Sequence, residues 1–210
     1  MLVKDVMRSN VVTVTPRTTL AEALELTRAR GIRHLPVLEA GALVGIVSDR
    51  DLKRAMPPAP GHAASLAPQL AGTTVSSIMT RPVITTGPTV SVEEAGRVMV
   101  SEKISALPVT EGQRLVGIVT ETDVVALLVR ALGVLEPSSR LEVLFSPAGS
   151  ALADIVRTVQ DVGVSMSSLV TVATPDGARE AVLRVATINP RPVIDALEGK
   201  GYAVRGPRRG

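Results

Sequence analysis

The 210-residue chain has no cysteine and no tryptophan, one phenylalanine, one tyrosine and two histidines. Without cysteine, disulfides, thiol nucleophiles and zinc–thiolate sites are excluded, which suits a reducing compartment. Almost without aromatics, the chain has no stacking platform for single-stranded nucleic acid. His34 and His62 lie in different contexts, and no histidine–carboxylate metal spacing, Gly-x-Ser-x-Gly turn or Walker loop occurs. With no base–nucleophile pair and no metal set, the chain is not expected to be an enzyme. A basic-then-apolar signal pattern and an apolar run near the ~18 residues of a membrane span are also missing. A cytoplasmic protein that does not engage a membrane is the expectation. The net charge is only +3, so nucleic acid is not an expected partner.

What the chain does have is aliphatic material and a repeat. Hydrophobic residues make up 45% of it, so its cores must be built from Val, Leu, Ile, Ala and Met. Val3 laid on Val75 starts an alignment that continues without a gap. Met7 falls on Met79, Pro16 on Pro88, and Leu35-Pro36-Val37 on Leu107-Pro108-Val109. The run Leu43–Val47 returns unchanged as Leu115–Val119, and Asp51 falls on Asp123. A constant offset over this length marks a duplicated unit, each copy with a sheet face it cannot bury alone.

Each copy reads as β-α-β-β-α. In the first, the apolar periodicity of Leu2–Met7 predicts a helical turn, and the β-branched Val11–Val14 a strand that Pro16 stops. Thr19 with Glu22 predicts a capping box, and Gly31 a left-handed helix end. His34–Leu38 and Leu43–Val47 are the next strands, turned at Gly41, and Asp49 opens the second helix. Residues 57–74 read as a linker, with Ala63–Leu70 a candidate short helix and His62 a solvent-exposed residue.

Ser48 with Asp51, and Thr120 with Asp123, put a hydroxyl and a carboxylate at a strand–helix junction with free backbone N–H groups. Two readings stay open for these pairs. Ser, Thr and Asp favour helix N-termini as caps, and the same groups can hold a polyhydroxyl or phosphate-bearing ligand.

The duplicated lead-ins Val-x-x-Val-Met and Val-x-x-Ile-Met, the Leu-Pro-Val strands and the two Leu-Val-Gly-Ile-Val-[Ser/Thr]-x-x-Asp segments resemble a tandem of cystathionine-β-synthase (CBS) domains, a Bateman module. The resemblance covers residues 1 to about 132. It implies an α+β fold, with CBS domains over 1–56 and 75–135 packed about a pseudo-twofold axis. It also implies an adenosyl ligand (AMP, ADP, ATP or S-adenosylmethionine), with no catalytic cofactor. Ser48, Asp51, Thr120 and Asp123 would then meet ribose hydroxyls, and Val12, Thr13, Ile84 and Thr85 the adenine. A vicinal diol offers two donors to an ionised carboxylate, which agrees with that role. Arg33 and His34, with Lys4, Arg8 and Arg81, are the candidate phosphate contacts. The second copy has Ser105-Ala106 where the first has Arg33-His34, so unequal clefts are expected, the first favouring a phosphorylated ligand. The resemblance also implies a homodimer and a regulated partner protein.

Residues 139–205 follow a different order, β-α-β-β-α-β, the ferredoxin-like split unit. Leu152, Ile155, Val156, Val159 and Val162 form its first helix stripe. It resembles an ACT domain, a small regulatory fold that often binds amino acids. The ligand turn of that family would correspond to Ser146-Pro147-Ala148-Gly149, which lacks the family's acidic residue and carries an extra alanine. A CBS pair followed by such a unit is similar in domain order to the acetoin-utilisation AcuB family. Residues 206–210 form a short basic tail that reads as a solvated terminus.

Overall fold

The computed structural model describes residues 1–55, 72–146, 151–175 and 177–206. His62, the expected helix Ala63–Leu70, Pro147, Ala148 and Gly149 of the ACT-like turn, and the tail beyond Gly206 lie outside the described residues. The chain divides into two compact units, Met1–Val124 and Val125–Gly210. Among the described residues no helix is long and apolar enough to cross a membrane.

In the first unit, helix α1 (Leu20–Arg30) begins at Thr19, whose hydroxyl accepts from Glu22 N while Glu22 accepts from Thr19 N at 2.8 Å. This is the capping box expected from the sequence. Gly31 ends the helix at φ 60°. Strands β1 (His34–Glu39) and β2 (Ala42–Ser48) form a hairpin, and α2 (Asp49–Arg54) follows. The second copy repeats this with α3 (Val92–Glu102), β3 (Ala106–Glu111), β4 (Arg114–Thr120) and α4 (Glu121–Ala131). The hairpins join through the pair Ala42–Arg114, giving the sheet order β1-β2-β4-β3. The expected strand Val11–Val14 is reduced to one parallel bridge, Val14 to Val37, and its counterpart is Thr86 to Val109. Pro16 and Pro88 close these segments before a ladder can extend.

The two copies exchange their lead-ins. Val75 and Met79 are buried in the first copy's core with Leu20, Leu35, Val37 and Val47. Val3 is buried in the second copy's core with Met99, Leu107, Val109 and Val119, and Met7 packs against it. Bridges Arg8–Ile118 and Thr80–Ile46 fix the two crossings. A Cβ on Gly45 would overlap the Met79 thioether, and one on Gly117 would lie 2.6 Å from Met7 Sδ. The glycine inside each Leu-Val-Gly-Ile-Val run is therefore a seat for the other copy's methionine. Each core is completed by a segment from the opposite copy, and both cores lie in one compact unit.

The second unit carries β5 (Ser139–Phe145), α5 (Ala151–Asp161), β6 (Met166–Ala173), β7 (Arg179–Val185), α6 (Arg191–Gly199) and β8 (Ala203–Arg205). Its antiparallel sheet runs β6-β7-β5-β8, the interleaved order of a split β-α-β unit. Leu141, Val143, Leu183 and Val185 of the sheet pack with Ile155, Val159, Val193 and Leu197 of the helices. Of the expected helix stripe, Ile155 and Val159 are buried and Val162 packs against this core. Leu152 is exposed and Thr158 is buried, its hydroxyl donating to Asp154 O at 2.7 Å. An intrahelical bond lets a polar residue occupy the buried face. Asp154 also accepts from Lys200 Nζ at 2.7 Å and from the single tyrosine, Tyr202, at 3.0 Å.

Candidate functional site: the cleft at Asp51

Both hydroxyl–carboxylate pairs form helix caps. Ser48 N and Ser48 Oγ donate to Asp51 Oδ2 at 2.9 and 2.6 Å, and Asp51 N donates to Ser48 Oγ at 3.2 Å. Thr120 and Asp123 repeat the arrangement, at 2.9, 2.6 and 3.4 Å. In each pair one carboxylate oxygen is consumed by the cap, and Oδ1 is left to meet something else. Capping and ligand binding are thus not competing explanations here. The cap fixes the carboxylate so that its second oxygen is pre-oriented.

Asp51 lines a cleft of about 280 Å³ within the first unit. One wall is apolar, made by Pro82, Val83 and Ile84 of the second copy's lead-in and by Ile46 of β2. Arg33 and His34 enter from the start of β1, and Ser48, Arg50 and Arg54 from the β2–α2 junction. Lys103 to Ala106 close the remaining side. Among the described residues Asp51 carries no ion pair. Asp49 does: Lys53 Nζ lies 2.9 Å from it and holds its carboxyl below the usual range. Lys53 is thereby taken out of play for a phosphate.

His34 lines this cleft, but it does so as a neutral imidazole. Its Nε2 lies 2.9 Å from Ser105 Oγ of the other copy, and burial first, then the adjacent Arg33, push its pKa below the ordinary value. At neutral pH it can offer a phosphate a hydrogen bond without a charge.

The other candidate residues divide between the copies. Ile84 lines the Asp51 cleft, and Thr85 does not. Val12 and Thr13 are their counterparts in the first lead-in. Among the candidate cations, Arg33 lines the cleft while Lys4, Arg8 and Arg81 do not. Arg8 pairs with Asp123, and Arg81 Nη2 lies 3.6 Å from Met79 Sδ. Ser146 is at the end of β5 in the second unit.

The sequence reading missed three cations in the cleft: Arg50, Arg54 and Lys103. Arg50 and Arg54 are four residues apart, hence on one helix face. Their counterparts are Thr122 and Ala126, and that of Lys103 is Gly31. The internal alignment carried the signal, because all three positions lose a positive charge on passing to the other copy. Lys103 also caps α3 in the left-handed region at φ 56°, where Gly31 caps α1. A non-glycine residue there is uncommon and costs about 1–2 kcal/mol.

The family model for the CBS domain matches residues 3–58 and 75–130, more than half of the chain. The CBS domain pair of protein MJ0100, solved with 5-methylthioadenosine and S-adenosyl-L-methionine, is 32% identical with a TM-score of 0.52. The match covers 61% of this chain and 95% of that one. CBSX2 solved in complex with AMP is 29% identical with a TM-score of 0.53, covering 61% and 97%. A protein of Vibrio cholerae assigned to acetoin utilization (AcuB) is 33% identical with a TM-score of 0.53, covering 64% and 95%. The inosine-5'-monophosphate dehydrogenase of Korarchaeum cryptofilum is 38% identical over 116 residues, 55% of this chain but only 22% of the enzyme. The exchanged lead-ins, the two capped carboxylates and these matches converge: the chain belongs to the CBS domain family and carries two copies in tandem.

Proposed function

We propose that the CBS pair is a regulatory sensor of adenine nucleotides, AMP, ADP or ATP, whose working site is the cleft at Asp51. One observation carries this reading. A cap-fixed carboxylate with no ion pair among the described residues faces the same 280 Å³ space as Arg50, Arg54 and Lys103 and an aliphatic wall. The carboxylate suits a ribose diol, the cations suit phosphate, and Pro82, Val83 and Ile84 suit a purine face in a chain almost without aromatics. The AMP complex of CBSX2 and the methylthioadenosine and S-adenosylmethionine complex of the MJ0100 pair support the ligand class. Cationic S-adenosylmethionine is the poorer match for this particular cleft because of its three cations.

The sensor acts on a partner without catalysing a reaction itself. A ligand shifts such a module only by its differential affinity for two arrangements. In this reading the chain is a cytoplasmic homodimer. Helix α4 supports that part: it is rich in Val and Leu, yet none of its residues is buried, and Val125 and Leu128 are more than half exposed. The ACT-like second unit then serves dimer or partner contacts. The same apolar helix favours a second reading, in which the module only assembles and its clefts are vestigial.

Thermal unfolding with AMP, ADP, ATP and S-adenosylmethionine separates the two. A ligand present at about 100 times its Kd adds about 2.7 kcal/mol of stability. A rise with AMP or ATP that disappears in Asp51→Ala is expected for the sensor. No rise with any of the four leaves the assembly reading standing.

A further inference from the structure

The two hydroxyl–carboxylate junctions differ at one point that neither the cap nor the phosphate side accounts for. In the first copy, Asp51 Oδ1 carries no ion pair among the described residues, and the lead-in residue bridged to β2 beside that cleft is Thr80. In the second copy, the matching lead-in residue is Arg8, and its Nε lies 3.6 Å from Asp123 Oδ1. Asp123 Oδ2 is already held by Thr120 N and Thr120 Oγ1. Both oxygens of the second carboxylate therefore have protein partners. The Asp123 side chain is only 12% exposed, and the Arg8 side chain paired to it is 63% exposed.

The backbone keeps Arg8 in that position. Arg8 N donates to Ile118 O at 2.9 Å, and Ile118 N donates to Arg8 O at 3.0 Å. Thr80 and Ile46 make the same two bonds in the first copy, at 2.9 and 3.3 Å. The two lead-ins thus present their side chains equivalently, one a short hydroxyl and the other a long cation. A second arginine reaches the same junction: Arg33 Nη2 donates to Thr122 Oγ1 at 3.2 Å. Its counterpart, Ser105, is instead bound to His34.

Resting on the reading of Asp51 and Asp123 as ribose ligands, we infer that Arg8 is a built-in occupant of the second cleft. It fills the carboxylate that a nucleotide's diol would take, and the residue at positions 8 and 80 decides which cleft is open. The chain then holds one nucleotide, in the first cleft. A guanidinium is complementary to a carboxylate in charge, and at 3.6 Å Arg8 meets Asp123 as an ion pair. Thr122, Ala126 and Gly31 stand where the first cleft has Arg50, Arg54 and Lys103, so a nucleotide's phosphates lose those three cations there and meet Arg33 at Thr122 instead.

The test is a residue exchange read by calorimetric stoichiometry with AMP on the full chain. Wild type is expected to bind one AMP per chain, Arg8→Thr two, and Arg8→Thr with Asp123→Ala one again. Thr80→Arg is expected to weaken the first site at least tenfold, with circular dichroism and thermal unfolding confirming that the variant folds. Two AMP per wild-type chain, or an Arg8→Thr variant that stays at one or binds more weakly, overturns the role of Arg8. Failure of the ribose reading gives a different pattern: AMP binding that survives Asp51→Ala and Asp123→Ala together overturns both proposals. If wild type binds none and Arg8→Thr gains one, Arg8 keeps its role and the first-cleft assignment falls.

Discussion

Ser48–Asp51 and Thr120–Asp123 carry the same capping chemistry in two different electrostatic settings. Their internal hydrogen bonds agree to within a few tenths of an ångström. Around the first pair stand Arg50, Arg54 and Lys103, and around the second stand Thr122 and an arginine already paired to the carboxylate. Duplication preserved what folding needs, namely the caps, the glycine seats and the exchanged methionines. It left free to diverge the side chains that point into the clefts. The two junctions thus share one backbone and capping scheme and differ in the charges around it.

The sharpest way to break this comparison is to remove each carboxylate in turn. Asp51→Ala is expected to cost about 1.5–3 kcal/mol of AMP affinity, roughly 10- to 150-fold, for loss of a charged hydrogen-bonding partner. Asp123→Ala is expected to leave AMP affinity unchanged. Both should lower stability by about 0.5–2 kcal/mol through loss of the cap, measured by urea unfolding. Equal affinity losses in the two variants would mean that the clefts are equivalent.

The two glycine seats should behave alike where the clefts do not. Gly45→Val and Gly117→Val are each expected to destabilise by about 1–3 kcal/mol through overpacking against Met79 and Met7. Denaturant midpoints that move by similar amounts in both variants would show that the exchanged lead-ins are a shared structural device. A Gly117 variant without effect would separate the second lead-in contact from the first.

Lys103 sharpens the contrast between stability and binding. Lys103→Gly restores the residue found at Gly31 and relieves a left-handed backbone, so stability should rise by up to about 1 kcal/mol. ATP affinity should fall at the same time, and fall more than adenosine affinity. Stability and ATP affinity moving together in calorimetry and unfolding would remove Lys103 from the phosphate side.

The smallest effect belongs to His34. Burial and Arg33 depress its folded-state pKa, so the unfolded chain takes up a proton first as pH falls. Wild type should therefore lose stability relative to His34→Gln as pH drops through the ordinary histidine range toward the folded value. Above that range the difference should be flat. A wild-type stability that rises relative to His34→Gln as pH falls through that range would reverse the sign and contradict a neutral, buried His34.

Much of the fold was legible because it rests on local or periodic signals. The Thr19–Glu22 capping box, the left-handed Gly31 and the hairpin strands follow from residue types at fixed spacing. The strand expected over Val11–Val14 failed because β-branched content describes a preference, and the partner available there, β1, offers only Val37 as a bridge. In the helix stripe of the second unit only Leu152 stands exposed, and a polar residue joined the buried face. Thr158 satisfied its hydroxyl within the helix and took a buried place that polarity alone would have denied it.

The sequence by itself determined the duplication, the caps and the family, because a gapless offset and short motifs survive as text. It also carried the charge differences at Arg50, Arg54 and Lys103, although only the cleft showed that these three converge. Tertiary structure alone decided that Met79 belongs to the first core and Met7 packs against the second. It alone placed Arg8 on Asp123, a pair separated by most of the first unit. Long-range pairings of this kind have no period or spacing to betray them. They arise from which segment crosses to which copy, and that is settled by burying two incomplete cores at once.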